Sequence, residues 1–185
     1  MPLTQLDHLA ALIVIDLQKG IVAFPLAHPS ADIVSRSAQL AQAFRARNLP
    51  VALVNVSAPA PGRTDHPRPN LSAFPPDWAD LVPELNAQPT DMLITKQRVG
   101  AFIGTQLHEE LQRRNVTQVF FTGISTTAGV ESSARSAADH GYNVVIVTDA
   151  TTDRDLQSYT HAIEKVFPRF AETTTTEELL THFPS

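Results

Sequence analysis

The chain has 185 residues, of which 43% are hydrophobic and 18% are charged; its formal net charge is −5 and it contains no cysteine. This length and composition predict a single domain over residues 1–185 with a substantial buried core. The negative charge and the absence of a Lys/Arg cluster argue against nucleic-acid binding, and a chain without cysteine forms neither a disulfide nor a thiolate metal site. No signal-like leader and no apolar stretch near the roughly 18 residues of a membrane span are seen, so we expect a cytoplasmic protein that does not enter a membrane.

Short apolar runs predict the strands of a sheet. Because these runs are rich in Val, Ile, Leu and Phe and do not alternate with polar residues, they are typical of parallel strands that are covered on both faces. The four clearest runs are 9–17, 51–56, 118–122 and 143–147. A weaker run, 92–95, is assigned as a further strand, and the polar run 170–173 is predicted to be an edge strand.

Amphipathic segments between these runs predict helices over 30–48, 105–115, 129–141 and 156–167. The sequence Thr-Thr-Glu-Glu at 175–178 has capping-box spacing and predicts the start of a last helix that ends near Phe183. Strand alternating with helix predicts an α/β fold: a single-domain, doubly wound, mostly parallel six-stranded sheet with helices on both faces.

One long segment, 57–78, has no regular pattern. Its prolines at 59, 61, 67, 69, 75 and 76 are too many for a helix or a central strand. Two interpretations remain open for it, a plain surface loop and a lid that faces the substrate.

Charged residues follow two of the predicted strands. Ligands of open α/β sheets bind beyond the carboxyl ends of the strands, where Asp16 follows the first strand and Lys96 follows the third. Burial of either charge alone is costly, so the two side chains are expected to pair. The alternative is that each is merely a solvated strand end.

Four segments carry a more specific pattern. They are 15–18 (Ile-Asp-Leu-Gln), 94–102 (Ile-Thr-Lys-Gln-Arg-Val-Gly-Ala-Phe), 123–135 (Gly-Ile-Ser-Thr-Thr-Ala-Gly-Val-Glu-Ser-Ser-Ala-Arg) and 141–150 (Gly-Tyr-Asn-Val-Val-Ile-Val-Thr-Asp-Ala). In their order, spacing and placement at successive strand ends they resemble the signatures of the isochorismatase-like (cysteine hydrolase) superfamily. The resemblance extends from about residue 9 to residue 180.

The resemblance implies an unusual catalytic set. Most members of that superfamily have a cysteine nucleophile at the position of Gly129, activated by an aspartate and a lysine that correspond to Asp16 and Lys96. Glycine has no side chain, so covalent catalysis from this position is impossible. The backbone amides of Ser125 and Gly129 correspond to the family's oxyanion hole, and a non-proline cis peptide is expected just before Ser125.

Isochorismatases proper also have glycine at this position, and they cleave a vinyl ether to pyruvate and a dihydroxylated cyclohexadiene acid. By resemblance, Asp16 is expected to be the general acid and Lys96 its electrostatic partner, with no thiol required. A nearby lysine lowers the pKa of an aspartate and desolvation raises it, and the sequence does not decide between the two effects. The residues expected to bind the substrate are Ser125, Gln18, Arg98 and Phe102.

This chain departs from isochorismatases proper at several places. They have Gly-Val-Tyr-Ala-His where residues 123–127 read Gly-Ile-Ser-Thr-Thr, an aromatic residue where Gln97 follows the lysine, and a catalytic glutamine after the second strand where none is found here. The alternative function is therefore a non-catalytic protein that binds a small ligand and descends from a cysteine amidase, or an engineered Cys-to-Gly variant of such an enzyme.

Other chemistries are weaker. Ser125, Asp149 and His161 follow the chain order of a Ser–Asp–His triad, but Thr127 stands where the nucleophile elbow needs glycine. The histidines show no metal-ligand spacing, with only Asp65 and His66 adjacent in the proline-rich segment. We therefore expect no metal, no cofactor, a small-molecule substrate, and a homodimer or homotetramer by family resemblance.

Overall fold

The computed structural model describes residues 3–65, 70 and 73–183. In that part of the chain six parallel strands form one sheet in the order β3-β2-β1-β4-β5-β6. The strands are β1 (Ala10–Ile15), β2 (Val51–Val56), β3 (Met92–Lys96), β4 (Gln118–Ile124), β5 (Asn143–Thr152) and β6 (Glu172–Thr174). The parallel six-stranded α/β sheet that the sequence predicts is thereby confirmed, with β6 at one edge.

Six α-helices accompany the sheet in the described residues: α1 (Lys19–Val22), α2 (Ser30–Arg45), α3 (Leu107–Arg113), α4 (Glu131–Asp139), α5 (Leu156–His161) and α6 (Thr176–Thr181). A π-helical turn, Thr126–Val130, leads into α4, and a second one, Ala162–Val166, follows α5. Short 3₁₀ turns occupy Pro83–Leu85 and Phe167–Arg169. Among the described residues, no helix is long and apolar enough to cross a membrane.

The core consists of two apolar layers, one on each face of the sheet. The central strand β1 is inaccessible to solvent along its whole length, and its side chains alternate between the two layers. Ile13 packs in the layer that contains the buried residues of α3 and α4, whereas Leu12 packs with those of α2 and α6. This two-sided burial explains why β1 reads as an unbroken apolar run.

The bounds of several elements differ from the sequence expectation, and three differences have a clear physical cause. Helix α2 ends at Arg45 rather than at residue 48, since Asn48 has a left-handed backbone with φ 56° and cannot continue a helix. Strand β5 runs on to Thr152, because pairing with β4 resumes at Gly123 after an irregularity. Strand β3 alternates between buried and exposed side chains, since it lies at an edge, where Leu93 is 64% exposed.

The last helix begins as its sequence predicts. The side chain of Thr175 accepts a hydrogen bond from the Glu178 amide at 3.2 Å, and the Glu178 carboxylate accepts one from the Thr175 amide at 3.0 Å. These reciprocal bonds form the capping box and satisfy two backbone donors at the start of α6.

The pairing of β1 with β4 depends on one glycine. Gly123 lies opposite Ile15 in the parallel register and has a φ of +112°. A Cβ atom at this position would lie 1.9 Å from the Ile15 carbonyl oxygen. Only glycine allows this approach, which brings the ends of β1 and β4 together.

Candidate active site

A cavity of about 230 Å³ opens at the carboxyl ends of the four neighbouring strands β3, β2, β1 and β4. The strand order runs outward from β1 on one side and from β4 on the other, so the cavity lies at the switch point where open α/β sheets bind ligands. Most of its wall is apolar, and it contains only a few polar side chains. The lining residues are Asp16, Ile21, Val56, Ala58, Pro59, Ala60, Lys96, Arg98, Val99, Ile124, Ser125, Ala128 and Gly129.

The two charged strand ends form a buried pair. The Lys96 ammonium donates a hydrogen bond to Oδ2 of Asp16 at 2.7 Å, and the two residues are only 2% and 6% exposed, respectively. Lys96 also donates to the carbonyl oxygen of Arg98 at 3.3 Å. Oδ1 of Asp16 is buried and has no hydrogen-bond partner among the described residues. The pairing expected from the sequence is therefore present, and one carboxyl oxygen is left over.

Burial raises the pKa of Asp16 to about 6, because removal from water penalises the charged carboxylate. The positive charge of Lys96 and its hydrogen bond act in the opposite direction but are the smaller effects. Desolvation thus prevails in the balance that the sequence left open. A carboxyl with this pKa holds a proton in an appreciable fraction of molecules near neutral pH.

The backbone of Asp16 turns sharply as β1 ends. Its φ of 52° is left-handed, a conformation in which aspartate is one of the better tolerated residues, and its amide donates to the Val54 carbonyl of β2 at 2.9 Å. The side chain is thereby carried beyond the end of the strand, where Lys96 meets it.

Gly129 lies in the π-helical turn before α4 and is buried beside Asp16. A Cβ atom on Gly129 would come within 2.8 Å of the Ile15 Cγ2 methyl and 3.1 Å of Asp16 Oδ2. Ile15 and Asp16 thus partly occupy the space that a side chain would need at position 129, where the resemblance places the nucleophile.

Ser125 stands at the other side of the cavity, directly after β4. The peptide bond between Ile124 and Ser125 is cis, as the resemblance implied. The Ser125 carbonyl accepts hydrogen bonds from the amides of Ala128 and Val130, each at 3.1 Å. The turn that follows is held by Asp153, whose Oδ2 accepts from the Thr127 amide at 2.8 Å and from its hydroxyl at 2.7 Å.

Gln18 and Phe102 stand outside the lining of this cavity. The Gln18 side chain is fully buried and bridges two segments: it accepts from the Val56 amide at 2.8 Å and donates to the carbonyls of Val56 and Trp78 at 3.1 and 3.2 Å. Phe102 is 6% exposed, and its ring lies 5.5 Å from that of His140. Gln18 therefore holds Val56 of the cavity wall, whereas Phe102 packs in the core layer, so neither residue lines the cavity as expected. Arg98, also expected to bind substrate, is exposed and lines the cavity.

The start of the proline-rich segment also lines the cavity. Ala58, Pro59 and Ala60 form part of the wall, which is consistent with the substrate-facing interpretation of this segment. Its end is anchored by an ion pair between Lys19 and Asp77 at 2.7 Å. His66, the histidine of the segment, lies outside the described residues.

Two contributors to the site were missed from the sequence. Ile21 reaches the cavity from α1, a helix of four residues that is too short to give a periodic signal. Ser133 of α4 was not singled out from the sequence as a site residue, and its hydroxyl donates to the Gly129 carbonyl and accepts from the Ala101 amide. Its spacing of four residues from Gly129 was the available signal.

The weaker candidates are not assembled. The Asp149 carboxylate accepts hydrogen bonds from Thr176 at the start of α6 and pairs with Arg36, while His161 is exposed, so neither completes a triad with Ser125. Among the described residues no group of three or more His, Cys, Asp or Glu side chains could hold a metal ion.

Comparison with known proteins identifies relatives over nearly the whole chain. A model of the isochorismatase domain matches residues 10–178. The uncharacterized isochorismatase family protein YwoC of Bacillus subtilis is 38% identical over 177 residues, which cover 92% of each protein. The ureidoacrylate amidohydrolase RutB of Stutzerimonas stutzeri is 41% identical over 75 residues, covering 40% of this chain and 30% of that enzyme.

Solved structures agree with this result. The structure of an isochorismatase family protein from Burkholderia thailandensis superposes with a TM-score of 0.91 at 40% identity, covering 96% of this chain and 97% of that one. An N-carbamoylsarcosine amidase from Thermoplasma acidophilum shares the fold with a TM-score of 0.75 at 23% identity, covering 91% of this chain and 97% of that one.

Proposed function

Since the chain belongs to the isochorismatase family of hydrolases, we propose that it hydrolyses an acid-labile vinyl ether of a small carboxylated metabolite, with Asp16 as the proton donor. The observation that carries this proposal is the unpartnered, buried Oδ1 of Asp16 at the cavity, while Oδ2 is held by Lys96. A carboxyl with a pKa near 6 can donate a proton at physiological pH. The chain has no thiol with which to attack a carbonyl.

Hydrolysis begins with protonation of the substrate and continues with attack by water. The proton on Oδ1 of Asp16 adds to the terminal vinyl carbon, and the ether-bearing carbon becomes an oxocarbenium ion. Water then attacks that carbon, and the resulting hemiketal collapses to pyruvate and an alcohol while a proton returns to Asp16. Lys96 keeps the carboxylate in place between the two steps and stabilises it while it is charged.

The remaining residues bind and orient the substrate. Arg98 provides a guanidinium at the rim of the cavity, a group suited to a substrate carboxylate. The amides of Ser125 and Gly129 are suited to the leaving oxygen, which gains negative charge as the hemiketal collapses. Gln18 acts indirectly, through its hydrogen bonds to Val56 of the cavity wall.

The size and lining of the cavity favour a small substrate. Its volume of about 230 Å³ is smaller than the roughly 300–1,000 Å³ that is usual for pockets that bind drug-sized ligands. Its apolar wall residues, such as Val56 and Ile124, suit an unsaturated carbon skeleton and keep water away from Asp16.

Pyruvate release from isochorismate, followed by proton NMR, tests the proposal. Asp16→Asn is expected to lower turnover by about 10²- to 10⁴-fold, the usual contribution of a general acid. Asp91→Asn is the matched control, because the Asp91 side chain is also buried, at 1% exposure, and ion-paired with Arg45 at 2.7 Å, but lies at the amino end of β3, away from the cavity.

The control variant is expected to keep wild-type turnover at temperatures where it is folded. Turnover that survives in Asp16→Asn would show that another group donates the proton. If folded wild-type protein releases no pyruvate, vinyl-ether hydrolysis of isochorismate is wrong.

A further inference from the structure

The hydroxyl of Ser133 connects two sides of the candidate active site. Ser133 is the third residue of α4 and is inaccessible to solvent. Its Oγ donates to the Gly129 carbonyl at 2.6 Å and accepts from the Ala101 amide at 2.9 Å. One buried atom therefore links the turn that contains Gly129 to the loop that follows β3.

That loop carries two groups of the site. The Arg98 carbonyl accepts a hydrogen bond from the Lys96 ammonium, and the Arg98 side chain lines the cavity. The loop is pressed closely against α4 at Gly100, where a Cβ atom would lie 2.7 Å from Ser132 Oγ and 3.3 Å from the Ser132 carbonyl. Ala101, one residue further, is the point at which the loop is hydrogen-bonded to the helix.

We infer that Ser133 is a positioning residue, which holds the loop of residues 97–101 on α4 so that the Arg98 carbonyl keeps the Lys96 ammonium against Asp16. The path runs from Ser133 Oγ to the Ala101 amide, along the loop to the Arg98 carbonyl, and then to Lys96 and Asp16. Its consequence for catalysis rests on the proposed function, but its consequence for the Asp16–Lys96 pair does not.

The same helix offers a matched control. Ser136 also directs its hydroxyl to the carbonyl four residues earlier, that of Ser132 at 3.1 Å, and makes no hydrogen bond to the loop among the described residues. Ser133→Ala and Ser136→Ala thus remove the same kind of helix contact, but only the first releases Ala101.

The titration of the Asp16 carboxyl, followed by carbon-13 NMR without any substrate, tests the inference. Lys96 of β3 and Arg98 of the loop are the charged residues that line the cavity with Asp16, and Lys96 is its direct partner. An adjacent opposite charge shifts a carboxyl by about 1–3 pH units, so partial release of Lys96 should raise the midpoint by about half a unit. Ser133→Ala should show this rise, and Ser136→Ala should titrate with the wild type.

Two further variants separate positioning from a general loss of structure. Ser133→Thr keeps a hydroxyl that can bond to the carbonyl four residues earlier and should restore the wild-type midpoint. Gly100→Ala forces the loop away from Ser132 while leaving Ser133 intact, and it should raise the midpoint as Ser133→Ala does. A midpoint in folded Ser133→Ala or Gly100→Ala that equals or falls below the wild-type value overturns the inference.

Turnover provides the second readout. Ser133→Ala should lower the low-pH limit of kcat by about tenfold with little change in KM, because Asp16 is oriented less firmly once Lys96 is partly released. Ser133→Thr should recover it. If the wild type fails to release pyruvate, the proposed function fails, whereas the substrate-free titration still decides whether Ser133 positions the pair.

Discussion

Two opposing effects act on the pKa of the Asp16 carboxyl. One comes from the apolar wall that excludes water, and the other comes from the neighbouring Lys96. The wall raises its pKa and the ammonium of Lys96 lowers it, with burial the larger effect. The side chain is therefore neutral in part of the population and still firmly oriented through Oδ2. A general acid needs both properties at once.

A side chain added at Gly129 would meet two buried neighbours. Gly129→Ala should destabilise the fold by about 1–3 kcal/mol, the usual cost of overpacking, because the added Cβ meets Ile15 Cγ2 and Asp16 Oδ2. Urea denaturation measures the loss. If the clash is the cause, Ile15→Ala combined with Gly129→Ala should cost less than the sum of the two single changes; additive costs would rule it out.

Residue-level prediction from sequence succeeded where the ends of predicted strands bring side chains together and failed where a contact depends on the path of a loop. Asp16 and Lys96 could be paired in advance, because each ends a strand and isolated buried charges are costly. The role of Gln18 could not, since one of its partners, the Trp78 carbonyl, lies at the end of the proline-rich segment, whose path no periodic pattern predicts. The bond from Ser133 to Ala101 depends in the same way on how a loop folds back onto a helix.

Among the elements, the close pairing of β1 with β4 depends on the absence of a side chain at position 123. Gly123→Ala should abolish cooperative thermal unfolding, because a Cβ cannot exist 1.9 Å from the Ile15 carbonyl oxygen. Gly141→Ala is the matched control: Gly141 also has a positive φ, +86°, but no atom lies within 4 Å of the added Cβ. It should cost only about 1–2 kcal/mol for the left-handed backbone. Equal losses in the two variants would contradict the role of the close approach.

The type of each long element could be predicted more reliably than its bounds. Unbroken apolar runs identified β1, β2, β4 and β5 because their residues are buried on both faces. The extension of β5 to Thr152 escaped detection, because it depends on renewed pairing with Ile124 of β4. Helix α1 escaped as well, since four residues are too few for a periodic pattern.

For the whole molecule, the raised pKa of Asp16 couples stability to pH. Between about pH 4 and pH 6 the folded protein binds this proton and the unfolded chain releases it, so the contribution of Asp16 to stability is full below pH 4 and is lost as pH rises through about 6. A displacement of about two units corresponds to on the order of 3 kcal/mol.

Urea denaturation of the wild type and Asp16→Asn across this range measures the effect. The stability of the wild type relative to the variant should fall as pH rises from about 4 to about 6. Groups other than Asp16 titrate in both proteins, so their contributions cancel in the difference between the two unfolding free energies. A difference that is flat or rises over this window would mean that the Asp16 carboxyl is not raised by burial.

At this scale the fold class was accessible from the sequence, because strand and helix alternate throughout and the motifs fall at strand ends. Assembly into a homodimer or homotetramer stays a prediction. The edge strand β3 exposes Leu93, and Val99 and Ile103 of the following loop are 47% and 64% exposed. If the chain assembles through this edge, the solvent accessibility of these three side chains should fall.

The pH dependence of kcat/KM for pyruvate release from isochorismate, corrected for the enzyme-free reaction, tests the role of Asp16 most directly. If Asp16 donates the proton, kcat/KM should fall as pH rises through about 6 and approach a tenfold decrease per unit, because only the protonated carboxyl is active. A value of kcat/KM that instead rises with pH through this range would show that the carboxylate acts as a base, and would contradict acid-catalysed hydrolysis by Asp16.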